Sequence, residues 1–212
     1  MSWSYTMLGT WEKCAARYKY RYIEGLADKS TPFANKGTNA HNVIEKYIKG
    51  ETIPLEPRMQ PMFGLLERLK EVGQPEAWCG VSKEWEKTPY REGWLKAKLD
   101  CVEKPDNDEI VVWEWKTGQI YDNHDEQREL YGLVALAQHP KVDTAIVNGY
   151  YIDQKHISNA TVVRRDKAEP LRKEWETRVG FLESDKIFAP RPGWYCRNCP
   201  YSRDAGGPCK VG

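Results

Sequence analysis

Val111-Val112-Trp113-Glu114-Trp115-Lys116-Thr117-Gly118 is the stretch on which the reading of this chain turns. Its β-branched opening and closing Gly predict a strand that runs into a turn. Alternation along a strand places Val112, Glu114 and Lys116 on one face and Val111, Trp113 and Trp115 on the other. One face is then apolar and aromatic, while the other carries a carboxylate and an amine. Burying such charges costs free energy unless they pair with each other or bind a metal. Two readings stay open on these residues alone. One is an edge strand with a solvated face and an ordinary Glu/Lys pair; the other is a buried strand with chemistry on it.

The neighbouring sequence supplies partners. From Trp94 to Val102, residues Leu95, Ala97, Leu99 and Cys101 point one way, and Lys96, Lys98 and Asp100 the other. Pro105-Asp106-Asn107-Asp108 is rich in turn formers and predicts a hairpin, which brings Asp100 onto the face of Glu114 and Lys116 in suitable register. Trp78 to Lys87, with Glu84 and Glu86, reads as an earlier strand. After the hairpin, Asp122 or Asn123 is the expected cap of a helix on which Gln127, Tyr131 and Val134 form one row. Thr144 to Ile152 and Thr161 to Arg164 read as strands. Asp166 with Glu169 has the form of a capping box opening a helix with Leu171, Trp175, Val179 and Leu182 on its apolar side.

Upstream, Thr10 is the expected cap of a helix reaching Gly25, with Trp11, Ala15, Tyr18 and Tyr22 as its stripe and Cys14 beside it. A loop from Thr31 to Gly37 precedes a helix over Thr38 to Lys49. Its buried side is Val43, Ile44, Tyr47 and Ile48, with His41 at the edge. Met62 to Val72 reads as a third helix. Helices, hairpin, helix, strand and helix, followed by a Pro-, Gly- and Cys-rich tail from Ala189, predict one α/β domain with a C-terminal appendage.

Bulk properties narrow the function classes. The 212 residues carry 32 basic and 31 acidic side chains, so bulk charge advertises no polyanion, although a local basic surface is compatible with this balance. Nine Trp and twelve Tyr supply core and also stacking platforms for unpaired bases. The N-terminus lacks the pattern of a secretory signal, and no apolar run is long enough to span a membrane. A cytoplasmic protein is the expectation, and its six Cys then read as metal ligands or core residues rather than disulfides.

Two constellations carry chemistry. Asp100, Glu114 and Lys116 make a minimal site for phosphodiester hydrolysis, which needs a hard divalent cation, an activated water and neutralisation of charge developing on phosphorus. Mg²⁺ or Mn²⁺ suits the two carboxylates. The second is Cys196-Arg-Asn-Cys199, a hook for two thiolates on one metal centre, with Cys209 as a third donor. No fourth ligand stands in the tail, and Cys14 completes the set only if the N-terminal helix meets the C-terminus. Cys79 and Cys101 have no partners in sequence and read as core.

These residues resemble the PD-(D/E)XK nucleases, and within them the RecB-like branch. GTNAHNVIE resembles its N-terminal motif with His41 at the metal-binding His; LKAKLD, ending in Asp100, its second motif; VVWEWKTG its Glu-x-Lys-Thr-Gly motif; and QRELY, Gln127 to Tyr131, its Gln-x-x-x-Tyr motif. The resemblance spans roughly residues 1 to 210. It departs from the pattern near Lys96 and Ala97, where the family often has Gly. It implies a restriction-endonuclease-like central mixed sheet flanked by helices, with a small Cys-rich C-terminal tail tied to the N-terminal helix. It further implies a nuclease domain over 1–188 and a metal-binding tail over 189–212. His41, Asp100, Glu114 and the Trp115 carbonyl are the implied metal ligands, Lys116 the water activator, and Gln127 and Tyr131 the residues beside site and DNA. The cysteines resemble those of iron–sulfur members, including the CRISPR-adaptation exonucleases and recombination nucleases, in which one N-terminal and three C-terminal Cys hold a 4Fe–4S cluster. The Cys199–Cys209 spacing is longer than in those members, and zinc is the alternative.

The implied activity is a metal-dependent DNA exonuclease acting on single-stranded DNA or ends. No G-x-x-x-x-G-K-[ST] motif is present, so unwinding would fall to a helicase, recombinase or CRISPR-adaptation partner. The alternatives are an endonuclease, a non-catalytic nucleic-acid-binding or assembly module of the same fold, and a structural zinc protein whose Glu/Lys strand is incidental.

Overall fold

A computed structural model describes residues 1–28, 32–120 and 123–211. In chain order the helices are α1 (Tyr5–Lys13), α2 (Ala15–Tyr18), α3 (Pro32–Ile48), α4 (Phe63–Val72), α5 (Asn123–Gln138) and α6 (Ala168–Ser184). The strands are β1 (Gly73–Val81), β2 (Lys87–Thr88), β3 (Leu95–Glu103), β4 (Glu109–Lys116), β5 (Thr144–Tyr151), β6 (His156–Ile157) and β7 (Thr161–Arg164). Two compact units result: one of Met1, Trp3–Thr31 and Lys173–Gly212, the other of Ser2 and Pro32–Arg172.

The larger unit is built on a mixed sheet of order β2-β1-β3-β4-β5-β6, with β7 also on β5. β3 and β4 form the expected antiparallel hairpin, and β4 pairs with β5 in parallel along its length. β4 is therefore central, and the edge-strand reading is overturned. Helices cover both its faces. Ala40, Ile44 and Ile48 of α3 and Leu66 and Leu69 of α4 pack on Cys101, Trp113, Trp115 and Tyr150. On the other face α5 comes so close that a Cβ at Gly132 would stand 2.5 Å from the Val163 side chain, which only a glycine allows. This is the mixed α/β sheet between helices that the sequence implied.

At the foot of the hairpin, Arg68 grips buried Glu103 with two hydrogen bonds (2.5 and 2.7 Å), and the Trp113 indole N–H donates to the same carboxylate at 2.6 Å. Burial alone would raise the Glu103 carboxyl, but these donors hold it below its ordinary value.

Several boundaries differ from expectation. Ser4, not Thr10, caps the first helix, its hydroxyl accepting the Met7 N–H at 3.3 Å, while the Thr10 hydroxyl donates to the Thr6 carbonyl within the helix. That helix ends at Cys14, whose backbone is extended (φ −159°, ψ 108°), so the single helix expected to Gly25 is broken there. α3 begins at Pro32 rather than Thr38, since proline favours a first helical turn. Glu84 and Glu86 are not in a strand: Ser82 folds the chain back by accepting both of their amides on its hydroxyl (3.2 and 3.4 Å). Asp166 accepts from Arg164 at 3.1 Å instead of boxing α6, which a 3₁₀ turn over Arg165–Lys167 introduces. Asp122 lies outside the described residues.

In the smaller unit, Trp3 and Trp175 are buried and stack at 6.1 Å, and Trp175, Val179 and Leu182 form the buried stripe of α6. The tail is tied to the N-terminal segment. Arg191 donates to the carbonyls of Trp11 and Glu12 (both 2.6 Å), the Tyr195 hydroxyl to Lys13 (2.8 Å) and the Tyr201 hydroxyl to Leu26 (3.0 Å).

Candidate active site and cysteine cleft

Ladder pairing of the hairpin runs through Val102↔Val112 and Cys101↔Trp113. Beyond it, Asp100 Oδ2 takes the Trp115 N–H at 2.8 Å, so a side chain satisfies an amide of the buried strand. Its other oxygen lies 3.1 Å from His41 Nδ1 on α3. His41 and Asp100, two of the four expected metal ligands, thus meet across the fork. Burial opposes charge on His41, but Asp100 and Glu114 more than offset it, and its pKa lies above the ordinary value.

Glu114 falls on the sheet face that α5 covers. Its Oε1 accepts the Lys116 ammonium at 3.0 Å and the Gln127 amide at 3.1 Å. Lys116 also donates to Gln127 Oε1 at 2.5 Å, and the Gln127 amide reaches the Tyr131 hydroxyl at 2.8 Å. The i, i+4 row on α5 therefore ends on the Glu-x-Lys strand. Gln127 orients Lys116 by accepting from it and Glu114 by donating to it. Glu114 Oε2 is buried without a hydrogen-bond partner. Burial first, then Asp100, push the Glu114 carboxyl up to about 7 against the pull of Lys116 and His41. A buried carboxylate in this state is short of positive charge, which is what a divalent cation supplies.

His41, Asp100, Glu114, Lys116, Gln127 and Tyr131 are all brought together in this one unit. Trp115 differs from the rest. Its ring stacks on Trp113 at 6.1 Å on the opposite face, and only its backbone lies by the site. Among the described residues, no three His, Cys, Asp or Glu side chains already converge to hold a metal ion. Asp100 and Glu114 instead spend three of their four oxygens on His41, the Trp115 amide, Lys116 and Gln127.

One part of the site had no signal in sequence. Asp153, beyond β5, accepts the Gly118 N–H at 2.9 Å and Arg58 at 2.8 Å and lies 3.4 Å from Lys36. It pins the turn that leaves β4 just after Lys116. Its partners are scattered over the chain, so no local motif marks it.

In the smaller unit, Cys14, Cys196, Cys199 and Cys209 line one cleft, with Tyr20, Tyr195 and Tyr201 around them. The break after α1 brings Cys14 to the cleft, and the Arg191 N–H points at its sulfur (3.5 Å). A 3₁₀ turn over Trp194–Asn198 presents Cys196, whose sulfur accepts the Gly193 N–H at 3.4 Å. Cys209 returns through its amide to the Tyr201 carbonyl at 2.9 Å. The four sulfurs share this cleft but are not gathered into a ligand set. None of the six cysteines is in a disulfide. Cys79 and Cys101 are buried, and burial pushes their thiols up to about 11 and about 12, as befits inert core.

The model of the PD-(D/E)XK nuclease superfamily matches residues 2–203. No curated protein matches the chain. Among solved structures similar to it is that of SSO0001, at 16% identity over all of this chain and 88% of that one, with a TM-score of 0.48.

Proposed function

Because this chain belongs to the PD-(D/E)XK nuclease superfamily, we propose that it is a metal-dependent deoxyribonuclease, acting as an exonuclease on single-stranded DNA or DNA ends. The observation that supports this most is the buried, unpartnered oxygen of Glu114 between Asp100 and a Lys116 held in place by Gln127. Nucleases of this superfamily generally use divalent metals such as Mg²⁺ or Mn²⁺. Asp100 and Glu114 would hold the ion, with His41 and the Trp115 carbonyl completing the set. When bound, such an ion neutralises phosphate charge and polarises a water.

The remaining work falls to the chain. Lys116 holds its ammonium against Glu114 and Gln127, where it would orient the attacking water and stabilise charge developing on phosphorus. Gln127 fixes that ammonium, so the lysine need not be immobilised as substrate arrives. Tyr131 holds Gln127 in turn. The cysteine cleft belongs to the same reading: its four thiol donors suit a 4Fe–4S cluster, with Zn²⁺ as the alternative, fastening the tail 189–212 to the nuclease domain 1–188. Such a site suits a cytoplasmic protein, and a helicase, recombinase or CRISPR-adaptation partner would supply unpaired strands.

The test is cleavage of end-labelled linear and circular single-stranded DNA with Mn²⁺, wild type beside Lys116→Ala. Loss of the linear form only, absent in the variant, is the expected result. Cutting of circles would make the enzyme an endonuclease. No cleavage by folded, metal-loaded wild type would leave a binding module. Iron and sulfide content, with the visible spectrum, decide the cluster against zinc.

A further inference from the structure

The half of β3 that leads up to Asp100 has one buried face and one partly open face. Leu95, Ala97 and Leu99 are buried together with Ala77, Cys79 and Val81 of β1. Lys96 and Lys98 lie on the other face, and register places Trp78 opposite Lys98 and Gly80 opposite Lys96. Trp78 is 57% exposed, far more than a strand tryptophan with a core role. The chain from Pro89 crosses directly over Gly80: a Cβ there would stand 2.6 Å from the Pro89 carbonyl oxygen, so only glycine admits it. That crossing sets Tyr90 edge-on against Trp78 at 4.9 Å. Lys98 lies over the Trp78 ring at 5.0 Å and Lys96 over Tyr90 at 5.5 Å. Glu76 pairs with Lys98 and fixes it beside the indole. The result is a row of two aromatic rings and two cations.

We propose that Trp78, Tyr90, Lys96 and Lys98 form a docking platform for an unpaired nucleic-acid strand, with a base stacked on Trp78 and phosphates on the two lysines. The proposal deepens the nuclease reading and rests on it. Exposed aromatics with neighbouring cations are what unpaired bases and their phosphates require, and a duplex offers no free base face to Trp78. Continuity with the site supplies direction: Lys98 precedes Asp100 by two residues on the same strand, roughly 7 Å. A strand stacked on Trp78 is thereby fed toward the carboxylates. Ordinary surface lysines would be expected to project into water rather than over rings, and one exposed Trp alone would mean little.

Binding is measured by fluorescence anisotropy of a labelled single-stranded oligothymidylate and of a duplex, in the Lys116→Ala background so that no cleavage intervenes. Trp78→Ala should weaken single-strand binding roughly 10-fold or more and leave the duplex unaffected, with Trp78→Phe recovering part of the loss. Removing Lys96 and Lys98 together should lower the salt dependence of binding, by about 0.7 in slope for each phosphate no longer neutralised. Circular dichroism confirms folding of each variant. If these variants bind the single strand as wild type does, while wild type still cleaves DNA, the platform is overturned and the nuclease reading stands. If equal losses appear on duplex, the assignment to unpaired strands is overturned. Wild type that neither binds nor cleaves any nucleic acid overturns both.

Discussion

The candidate active site and the cysteine cleft are both made of residues far apart in sequence, yet they are held in opposite ways. Asp100, Glu114 and Lys116 sit on paired strands, and their heads are tied to one another, to Gln127 and to the Trp115 amide. That site stands assembled on side-chain and ladder hydrogen bonds alone. The four cysteines sit on an extended break, a 3₁₀ turn and loops, and the sulfurs of Cys14, Cys196 and Cys209 each meet a backbone group. Strands and helices impose geometry, whereas turns need something to hold on to. On the proposed reading, the cleft would depend on its ligand for its shape and the carboxylate site would not.

The sharpest break comes from the first region. Lys116→Ala should cut DNA cleavage at least about 100-fold, the scale for losing a preorganised charge at the reacting centre. The fold should survive, because the β4 ladder does not use that side chain; single-turnover kinetics and circular dichroism read the two effects. Retained activity would remove Lys116 from the site.

In the second region the effect should fall on structure. If the cleft holds the proposed cluster, Cys196→Ala should abolish its colour and iron, and lower the melting temperature of the smaller unit more than EDTA lowers that of the larger. Absorption spectra and calorimetry check this. An unchanged spectrum would leave the cleft as an ordinary apolar pocket with thiols.

Glu114 offers a test by pH. Its carboxyl is raised in the fold from 4.5 to about 7. The folded protein therefore binds a proton that the unfolded chain has released, and its stability falls as pH rises from about 4.5 to about 7. In EDTA, Glu114→Gln should remove this loss and stabilise the metal-free protein at pH 8, by up to roughly 3 kcal/mol. Mn²⁺ should narrow the difference by stabilising wild type alone. Urea melts at pH 5 and pH 8 decide it, and a variant less stable than wild type at pH 8 would reverse the assignment.

Asp153→Asn should have the smallest effect. It slackens the hold on the Gly118 turn and should lower kcat roughly 10-fold or less with metal affinity unchanged. A loss as large as that of Lys116→Ala would give Asp153 a direct part in the reaction.

Much of this was legible in the chain. The alternation from Val111 to Lys116 separated a Trp face from a Glu/Lys face, and the structure buries the first against α3 and α4 while it turns the second to α5. Gln127 and Tyr131, four residues apart, met because one helical turn spans them. Local signals failed where a competing local bond or a distant partner took over. Thr10 had the look of a cap but lies inside α1, because Ser4 starts that helix earlier. Glu84 and Glu86 alternated like strand residues, yet Ser82 bends them into a turn. Arg68 and Glu103 are 35 residues apart, and nothing in their neighbourhoods announces the clamp.

The sequence by itself determined the residue types, their alternation and their helical spacing, since these follow from the two periods of strand and helix. It thereby put Glu114 and Lys116 on one face and Gln127 and Tyr131 on one row, while the resemblance to the PD-(D/E)XK nucleases supplied the roles expected of them and of the four cysteines. Tertiary structure alone decided that β4 is central and covered on both faces, that the hairpin forks so that Asp100 takes the Trp115 amide, and that Asp153 anchors the turn beyond Lys116. Those are facts of strand order and of packing between distant segments, and they are fixed by the whole sheet rather than by any stretch of it.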